Sequence, residues 1–231
     1  AVRAIFERAK AAGQTSFPEA QALDILAAYR FPLLKSHRAT SASQAAESLM
    51  GDGRSYAMKI VSPDILHKSD VGGVMLHVTA QTVGQRYEEM MATVMSHKPD
   101  ARLEGVLLME MAPQNGIELI LGVNQVPGLG TMIMFGLGGI YVEVFKDVNF
   151  AFAPVTESDA RSLNTQLRSS ALFAGVRGQA PIDVEAVIES ICRLSQLVSD
   201  FPEIVELDIN PLLGLPIGQG AKVLDARVVI K

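Results

Sequence analysis

A histidine followed closely by two adjacent glycines forms the stretch of this sequence that is best suited to phosphate chemistry. His67 is separated by four residues from Gly72 and Gly73. Because glycine has no Cβ, the two glycines can place consecutive N–H groups into one anion-binding concavity. A neutral imidazole is a competent nucleophile near pH 7. The segment predicts a phosphate-binding loop with a transient phosphohistidine at His67, while a solvated loop that the glycines only turn also fits it.

A second candidate site lies near the C-terminus, where polar and apolar residues alternate. Side chains of a strand point to alternate faces, so Glu206, Asp208 and Asn210 share one face. Asp225 and Arg227 add a carboxylate and a guanidinium from the next strand. Oxygen ligands of this kind suit Mg²⁺. The alternative is an ordinary solvated sheet face with a surface ion pair.

Lys59 lies within an apolar segment, residues 57–61, that is predicted to be a strand. An ammonium is costly to bury unless an anion meets it, so Lys59 is expected to face a phosphate. The alternative is a lysine that protects an exposed edge strand. Residues 136–139, with three glycines, fit neither the dinucleotide fingerprint nor the P-loop, and are interpreted as a tight turn.

The composition restricts the classes of partner. The chain has 231 residues, 48% of them hydrophobic, which is sufficient for one large domain or two lobes. A net charge of −5 without basic blocks argues against nucleic acid and anionic membranes as partners. Cys192 stands alone, so an internal disulfide is excluded. With no apolar run long enough to span a bilayer, the protein is expected to be cytoplasmic.

Alternating helical and strand patterns predict an α/β protein. Beyond residues 110–115 the composition shifts towards glycine and β-forming residues, so a lobe boundary is placed there. The predicted domains are a leading helix (1–15), a first lobe (16–110) and a second lobe (111–231). The strands predicted in the second lobe lie at 117–123, 131–135, 141–145, 204–209 and 222–230.

Six motifs together resemble one family: the ATP-grasp subunit or domain of ADP-forming acetyl-CoA and acyl-CoA synthetases, related to the β subunit of succinyl-CoA synthetase. The resemblance extends over nearly the whole chain. Its motifs lie at residues 58–63, 67–74, 136–144, 175–178, 207–212 and 224–227.

The resemblance implies a two-lobed ATP-grasp fold with ATP or ADP held between antiparallel sheets. His67 would relay the phosphoryl group, Lys59 would contact the phosphates, and Mg²⁺ would be bound near the C-terminus. A hinge segment and a second glutamate would lie beside the adenine. With the two glycines and Arg227, the candidate nucleotide-binding residues are Lys59, Gly72, Gly73, Glu110, Met111, Ala112, Pro113, Glu118 and Arg227, and the candidate metal ligands are Asp208, Asn210 and Asp225.

The activity implied by the resemblance is the phosphoryl-transfer part of an acid–CoA ligase (acyl-CoA + ADP + Pi = acid + CoA + ATP). A CoA-binding subunit or fused domain would be the partner, and either adenine or guanine nucleotide is compatible with the sequence. A regulatory ATP-grasp domain of a bacterial protein lysine acetyltransferase is the alternative. The carboxylate–amine ligases of the ATP-grasp class are a third candidate, but they would not need His67.

Two positions depart from the family pattern. Val126 precedes Pro127 where an acidic residue is usual, and Ala151 replaces an arginine expected near Phe150. If both positions lie beside the phosphates, the loss of charge would weaken turnover.

Overall fold

The computed structural model describes residues 1–65, 67–139, 147–176 and 178–231. Their backbone contacts divide into two compact units, one formed by Leu34–Ala112 and the other by Ala1–Leu33 with Pro113–Lys231. In chain order the helices and strands are α1 (Val2–Ala11), β1 (Ser16–Phe17), α2 (Glu19–Ala28), β2 (Ser36–Ala39), α3 (Ala42–Ser48), β3 (Tyr56–Ile60), β4 (Val74–Val78), α4 (Val83–His97), β5 (Val106–Glu110), β6 (Ile117–Val126), β7 (Gly130–Leu137), β8 (Val148–Phe152), α5 (Glu157–Thr165), α6 (Val184–Asp200), β9 (Ile204–Gly214), β10 (Ala221–Val223) and β11 (Ala226–Ile230).

The smaller unit is a four-stranded antiparallel sheet in the order β2-β5-β3-β4. Tyr56, Met58 and Ile60 of β3 pack in one apolar core with Met90 and Val94 of α4. Because strand side chains alternate, the intervening residues of β3 face the opposite side of the sheet. The helices therefore cover one face and leave the other for polar groups.

The larger unit is built on an antiparallel sheet that, in the described residues, has seven strands. Their order is β1-β11-β9-β6-β7-β8, with β10 also paired to β9. Apolar residues on one face are fully buried, among them Leu121 of β6, Phe135 of β7 and Ile209 of β9. Helix α6 contacts β7 and β9 on this side and contributes Ile191 and Leu194 to the core. The other face of the same strands carries the polar residues.

The predicted α/β class with antiparallel sheets is confirmed. The predicted first lobe, 16–110, differs from the observed unit at its start, since residues 16–33 lie with 113–231. The cause is a non-local pairing, in which Ser16 and Phe17 lie opposite Val229 and Val228. A two-residue strand has no sequence pattern that would reveal its partner two hundred residues away.

Some predicted features lie outside the described residues: the whole of the strand at 141–145, residues 140–144 of the motif at 136–144, and Arg177 within the motif at 175–178. Within the described ranges, no helix combines the length and the hydropathy needed to cross a membrane.

Candidate functional site

Lys59 occupies an interior strand of the four-stranded sheet. Its partners across the ladders are Val74 on β4 and Leu107 on β5. The residue is partly buried, on the face opposite the helix-covered core residues Met58 and Ile60. The alternative of a protective lysine on an edge strand is therefore wrong, because β3 is paired on both sides.

Residues 61–73 connect β3 to β4 as a loop that is hydrogen-bonded at both ends. Near its start, the Asp64 carboxylate accepts the backbone N–H of Arg102 at 2.7 Å. Near its end, the backbone N–H of Gly73 donates to the Lys68 carbonyl at 2.7 Å, and that of Gly72 donates to the Ser69 carbonyl at 3.2 Å. These bonds close a single 3₁₀ turn, Ser69–Val71.

The predicted anion nest at Gly72 and Gly73 is wrong for this loop conformation, because both N–H groups already donate within the loop. Glycine is needed here for other reasons. Gly72 has a φ of 72°, in the left-handed region. A Cβ on Gly73 would lie 2.5 Å from Cγ2 of Ile60 and 2.9 Å from the Lys68 carbonyl oxygen. The glycines shape the loop and do not themselves offer donors to a phosphate.

His67 lies between the two hydrogen-bonded ends of this loop. Its side chain is exposed, whereas Ile65 and Val71 on either side are buried. Ile65 and Val71 belong to the apolar core of the smaller unit, and the His67 imidazole is exposed to solvent between them. That placement suits a nucleophile that must meet a reactant from outside the unit.

The open face of the larger sheet brings together the polar residues of β9 and β11. Asp208 lies opposite Arg227 in the ladder, and the Asn210 N–H donates to the Asp225 carbonyl at 3.2 Å. The Arg227 guanidinium lies 3.5 Å from a carboxylate oxygen of Glu206. The predicted sharing of one face is confirmed by this register.

The charge on this face is unbalanced towards the negative. Burial and, to a smaller extent, the nearby Glu206 carboxylate raise the pKa of Asp208, and Arg227 opposes them in part. Among the described residues, no group of three His, Cys, Asp or Glu side chains is arranged to hold a metal ion. The carboxylates of Asp208 and Asp225 and the amide of Asn210 are nevertheless oxygen donors of the type that suits Mg²⁺, and a cation would reduce the repulsion between Asp208 and Glu206.

Glu110 ends β5 and is held by two different interactions. Its N–H donates to the Lys35 carbonyl at 2.9 Å, and its carboxylate accepts from Nη1 of Arg54 at 3.1 Å. The next residue, Met111, donates its N–H to the Ser55 carbonyl at 2.9 Å. The start of the predicted hinge is thus attached to residues of its own unit. Ala112 and Pro113 then lie on either side of the boundary between the units.

Asp52 organises the charged groups beside Glu110. Its carboxylate accepts the Arg54 N–H at 2.9 Å, the Tyr56 hydroxyl at 2.9 Å and Nζ of Lys35 at 3.1 Å. These bonds, above all the one from the Arg54 backbone, lower the pKa of Asp52 to about 2. Burial, and then the bond to Asp52, raises the pKa of Tyr56 to about 12. Sequence reasoning missed this cluster, since the residues that meet Glu110 lie more than fifty positions earlier.

Glu118 is exposed near the start of β6, and its carbonyl accepts the N–H of Gly138 at 2.8 Å. A Cβ on Gly138 would come within 2.8 Å of the Leu119 backbone. Gly139 has a φ of 67°, in the left-handed region. The glycines of the predicted turn therefore also allow the backbone of residues 138–139 to pack closely against β6.

The two departures from the family pattern lie on different faces of the larger sheet, since Val126 shares a face with Gly122 and Asn124 of β6, which pair with Asp208 and Glu206 on the polar face. Val126 and Gly130 are paired at the tip of the β6–β7 hairpin. Ala151 is opposite the fully buried Ile133, on the side of the sheet that the helices cover. The expectation that Ala151 removes a charge beside the phosphates is wrong, because adjacent positions of a strand face opposite sides.

Comparison with known proteins identifies the class to which this fold and these residues belong. A model of the ATP-grasp domain matches residues 8–230. The chain therefore belongs to the ATP-grasp family, as the resemblance predicted.

Particular relatives narrow the class. The chain is 39% identical to the β subunit of acetate–CoA ligase (ADP-forming) II of Pyrococcus furiosus, over 98% of this chain and 97% of that one. It is 41% identical to 4-hydroxybutyrate–CoA ligase (ADP-forming) of Nitrosopumilus maritimus, over 97% of this chain and 32% of that protein. The chain thus spans about a third of the latter relative's length. Both are acid–CoA ligases, which supports the main functional prediction and not the acetyltransferase alternative.

A solved structure gives the same result. Acetyl-coenzyme A synthetase 1 of Ca. Korarchaeum cryptofilum, in complex with coenzyme A and Ca-AMPCP, matches with a TM-score of 0.94 at 37% identity, covering 100% of each chain. A second structure of that protein, with Mg-AMPPCP and its phosphohistidine segment pointing towards the nucleotide binding site, matches at 0.86 and 32% identity, again over 100% of each chain. The predicted ATP-grasp fold is confirmed.

Proposed function

We propose that this chain is the ATP-grasp component of an ADP-forming acid–CoA ligase, and that His67 passes a phosphoryl group between the nucleotide and a CoA-binding partner. The observation that carries the proposal is the β3–β4 hairpin. One strand of it bears Lys59 on an interior position, and its connection presents the exposed His67. A cation for the phosphates and a nucleophile for the γ-phosphoryl group thus belong to one β-hairpin and its connection.

In the direction of ATP use, a nitrogen of the His67 imidazole attacks the γ-phosphorus, the bond to the β,γ-bridging oxygen breaks, and ADP leaves. As the bond breaks, negative charge builds up on the leaving oxygen of ADP, and the Lys59 ammonium neutralises part of that charge. Gly72 and Gly73 keep the loop in the shape that presents His67. In the direction of ATP formation, the same phosphohistidine returns its phosphoryl group to ADP.

Asp208, Asn210 and Asp225 are the proposed Mg²⁺ ligands. The metal would supply positive charge for the phosphates, which the acidic face of the sheet cannot provide. Arg227, opposite Asp208 in the ladder, would contact a phosphate oxygen as well. The pKa of Asp208 is raised by burial first and by the Glu206 carboxylate second, and a bound cation would favour the ionised form of this partly buried group.

The base is proposed to lie beside residues 110–113, with Glu118 as a further nucleotide contact. Glu110 and Met111 donate their N–H groups within their own unit, so these backbone donors are not available to the base. Recognition of the base would therefore depend on the backbone carbonyl groups of residues 110–113 and on the N–H groups of residues after Met111. A partner subunit or a fused domain would bind CoA and the acyl group. Both arrangements agree with the relatives, since one is a separate β subunit of similar length and the other is a ligase about three times as long.

Calorimetric titration with Mg-ADP tests the metal assignment. We expect the parent to bind Mg-ADP and to lose most of its affinity when Mg²⁺ is chelated. Asp225→Ala should weaken Mg-ADP binding by roughly tenfold or more, because a ligand oxygen of the cation is lost. The control is Glu203→Ala, which removes a carboxylate directly before β9 and disrupts a surface ion pair with Lys10. Equal affinity of Asp225→Ala and the parent would refute the metal placement.

A further inference from the structure

We propose that Arg38 is a second phosphate-binding residue of the nucleotide site, on the same face of the four-stranded sheet as Lys59. The inference rests on the proposed function, in which Lys59 contacts the phosphates and His67 receives the γ-phosphoryl group. It adds a cation that none of the sequence motifs contains. Three observations carry it: the ladder register, the charge of this sheet face and the position of Arg38 relative to the loop that bears His67.

The register of the sheet places Arg38 and Lys59 on one face. Arg38 of β2 lies opposite Leu107 of β5, and Leu107 in turn lies opposite Lys59 of β3. Residues that are directly opposite in an antiparallel pair point to the same side of the sheet. This side is the one away from the helix-covered core, because Met58 and Ile60, the neighbours of Lys59, belong to that core.

Arg38 and Lys59 are close enough to bind one phosphate chain together. Adjacent strands are about 4.8 Å apart, so two backbone positions that are separated by one strand lie roughly 10 Å apart. The Arg38 side chain is exposed and that of Lys59 is partly buried. Both side chains are long and flexible, and they carry their charge at the tip. A guanidinium and an ammonium from these positions can therefore contact different oxygens of the same chain of phosphates.

The strand residues that the register assigns to this face include two cations and no carboxylate. They are Ser36, Arg38, Ala57, Lys59, Val74, Leu107 and Met109. Glu110, the acidic residue of β5, lies opposite Tyr56 and therefore on the helix-covered side. Among the described strands, this face thus differs from the polar face of the larger sheet, where carboxylates predominate. A ligand with several negative charges is complementary to it.

Arg38 also lies at the end of the sheet from which the loop with His67 begins. Ala39 and Ile60 are the last residues of β2 and β3, and both lie opposite Val106. Arg38 therefore comes one position before the strand end at which this loop leaves the sheet. Under the proposed function the γ-phosphoryl group meets His67 at this end, so the row that contains Arg38 is at the level of the phosphates.

The alternative role for Arg38 is protection of the sheet edge, because β2 is the outermost strand on its side in the described residues. A charged side chain in that role opposes the pairing of β2 with another chain. It has no effect on the affinity of the folded protein for a nucleotide. The two roles therefore predict different results for the same substitution.

Calorimetric titration of Mg-ATP into the full chain and four variants tests the inference. Arg38→Met should weaken binding by about fivefold, the upper end for an exposed ion pair. Arg38→Lys should retain part of the affinity, because the charge stays although the forked geometry is lost. The control is Arg86→Met, which removes an exposed arginine from α4, the helix that packs on the opposite face, and should bind as the parent does. Lys59→Ala is the reference for a lost phosphate contact.

Unchanged affinity of Arg38→Met together with weakened binding by Lys59→Ala would overturn the inference and leave the proposed function intact. If Lys59→Ala also bound Mg-ATP as the parent does, the phosphates would not lie on this face, and the phosphate role of Lys59 would fail as well. An equal loss in Arg86→Met would contradict the inference, because the effect would then reflect only net charge. Light scattering measures the edge role: an Arg38→Met variant that self-associated but kept the parent's affinity would assign Arg38 to edge protection instead.

Discussion

The candidate site has a part carried on strands and a part carried on a loop, and the two parts are organised by different interactions. On β9 and β11, alternation alone places Asp208 and Arg227 on the open face and buries Leu207 and Val228 behind them. In the loop between β3 and β4, the conformation depends on backbone hydrogen bonds and on the space available beside Ile60.

Strands and loops differ in how far their residue types alone predict the chemistry of a site. A strand has a fixed period, so a polar residue on it has a predictable neighbour on the next strand. A loop has no such period, and the same N–H group can serve a ligand or the loop itself. At Gly72 and Gly73 the loop itself uses both N–H groups.

The largest effect is expected from the strand-borne cation. Lys59→Ala should weaken Mg-ATP binding roughly 10- to 150-fold, the range of a lost charge-assisted hydrogen bond, with little change in folding. Lys59→Arg should restore part of the affinity, because its forked guanidinium does not reproduce a compact ammonium. Lys98→Ala, at the end of α4, is the control. If all of these proteins bound Mg-ATP equally, the strand would contribute no contact to the phosphates.

The next effect concerns the loop and should appear in stability. Gly73→Ala places a methyl group against Ile60 and the Lys68 carbonyl, and is expected to lower the free energy of unfolding by about 1–3 kcal/mol, as overpacking does. Gly84→Ala is the matched control, since no atom lies within 4 Å of its Cβ position and it lies in helix α4. That variant should gain about 0.5–1 kcal/mol. Urea unfolding measures both, and a Gly73→Ala variant as stable as the parent would show that the loop is not sterically fixed.

The smallest effect concerns the acidic face without metal. Since the pKa of Asp208 is raised in the folded protein, its ionised form opposes folding above that pKa. Asp208→Asn should therefore raise the melting temperature at pH 7. The expected gain in the free energy of unfolding is about 0.5 kcal/mol, the lower end of the range for single stabilising substitutions. The gain should vanish at pH 3, where the carboxylate is protonated in the folded and the unfolded chain.

The pKa of Asp159 is shifted in the opposite direction from that of Asp208, so its substitution should have the opposite effect on stability. Its pKa is lowered by the hydrogen bonds from Thr156 at the start of α5, so its ionised form supports folding. Asp159→Asn should lower the melting temperature at pH 7, and the loss should diminish as the pH falls below 3.8. If Asp208→Asn and Asp159→Asn changed the melting temperature at pH 7 in the same direction, the assigned effects of the two carboxylates on β9 and α5 would be wrong.

The sequence was sufficient to predict the α/β class, the shared face of Asp208 and Asn210, and the family. It was insufficient wherever the answer depended on a distant partner. The pairing of β1 with β11 and the contact between Arg54 and Glu110 join residues far apart in the chain, and no local pattern specifies them. The space beside Gly73 likewise depends on Ile60, whose position is known only once β3 and β4 are paired.

The central claim is that His67 accepts the γ-phosphoryl group of ATP, and direct labelling tests it. The chain would be incubated with Mg-ATP that is radiolabelled at the γ position, then treated with acid or alkali, with His67→Asn in parallel. We expect a label that is stable to alkali, labile in acid and absent from His67→Asn, because phosphohistidine has this stability. Stoichiometric binding of Mg-ATP by the parent without any such label, even when a CoA-binding partner is added, would contradict the claim.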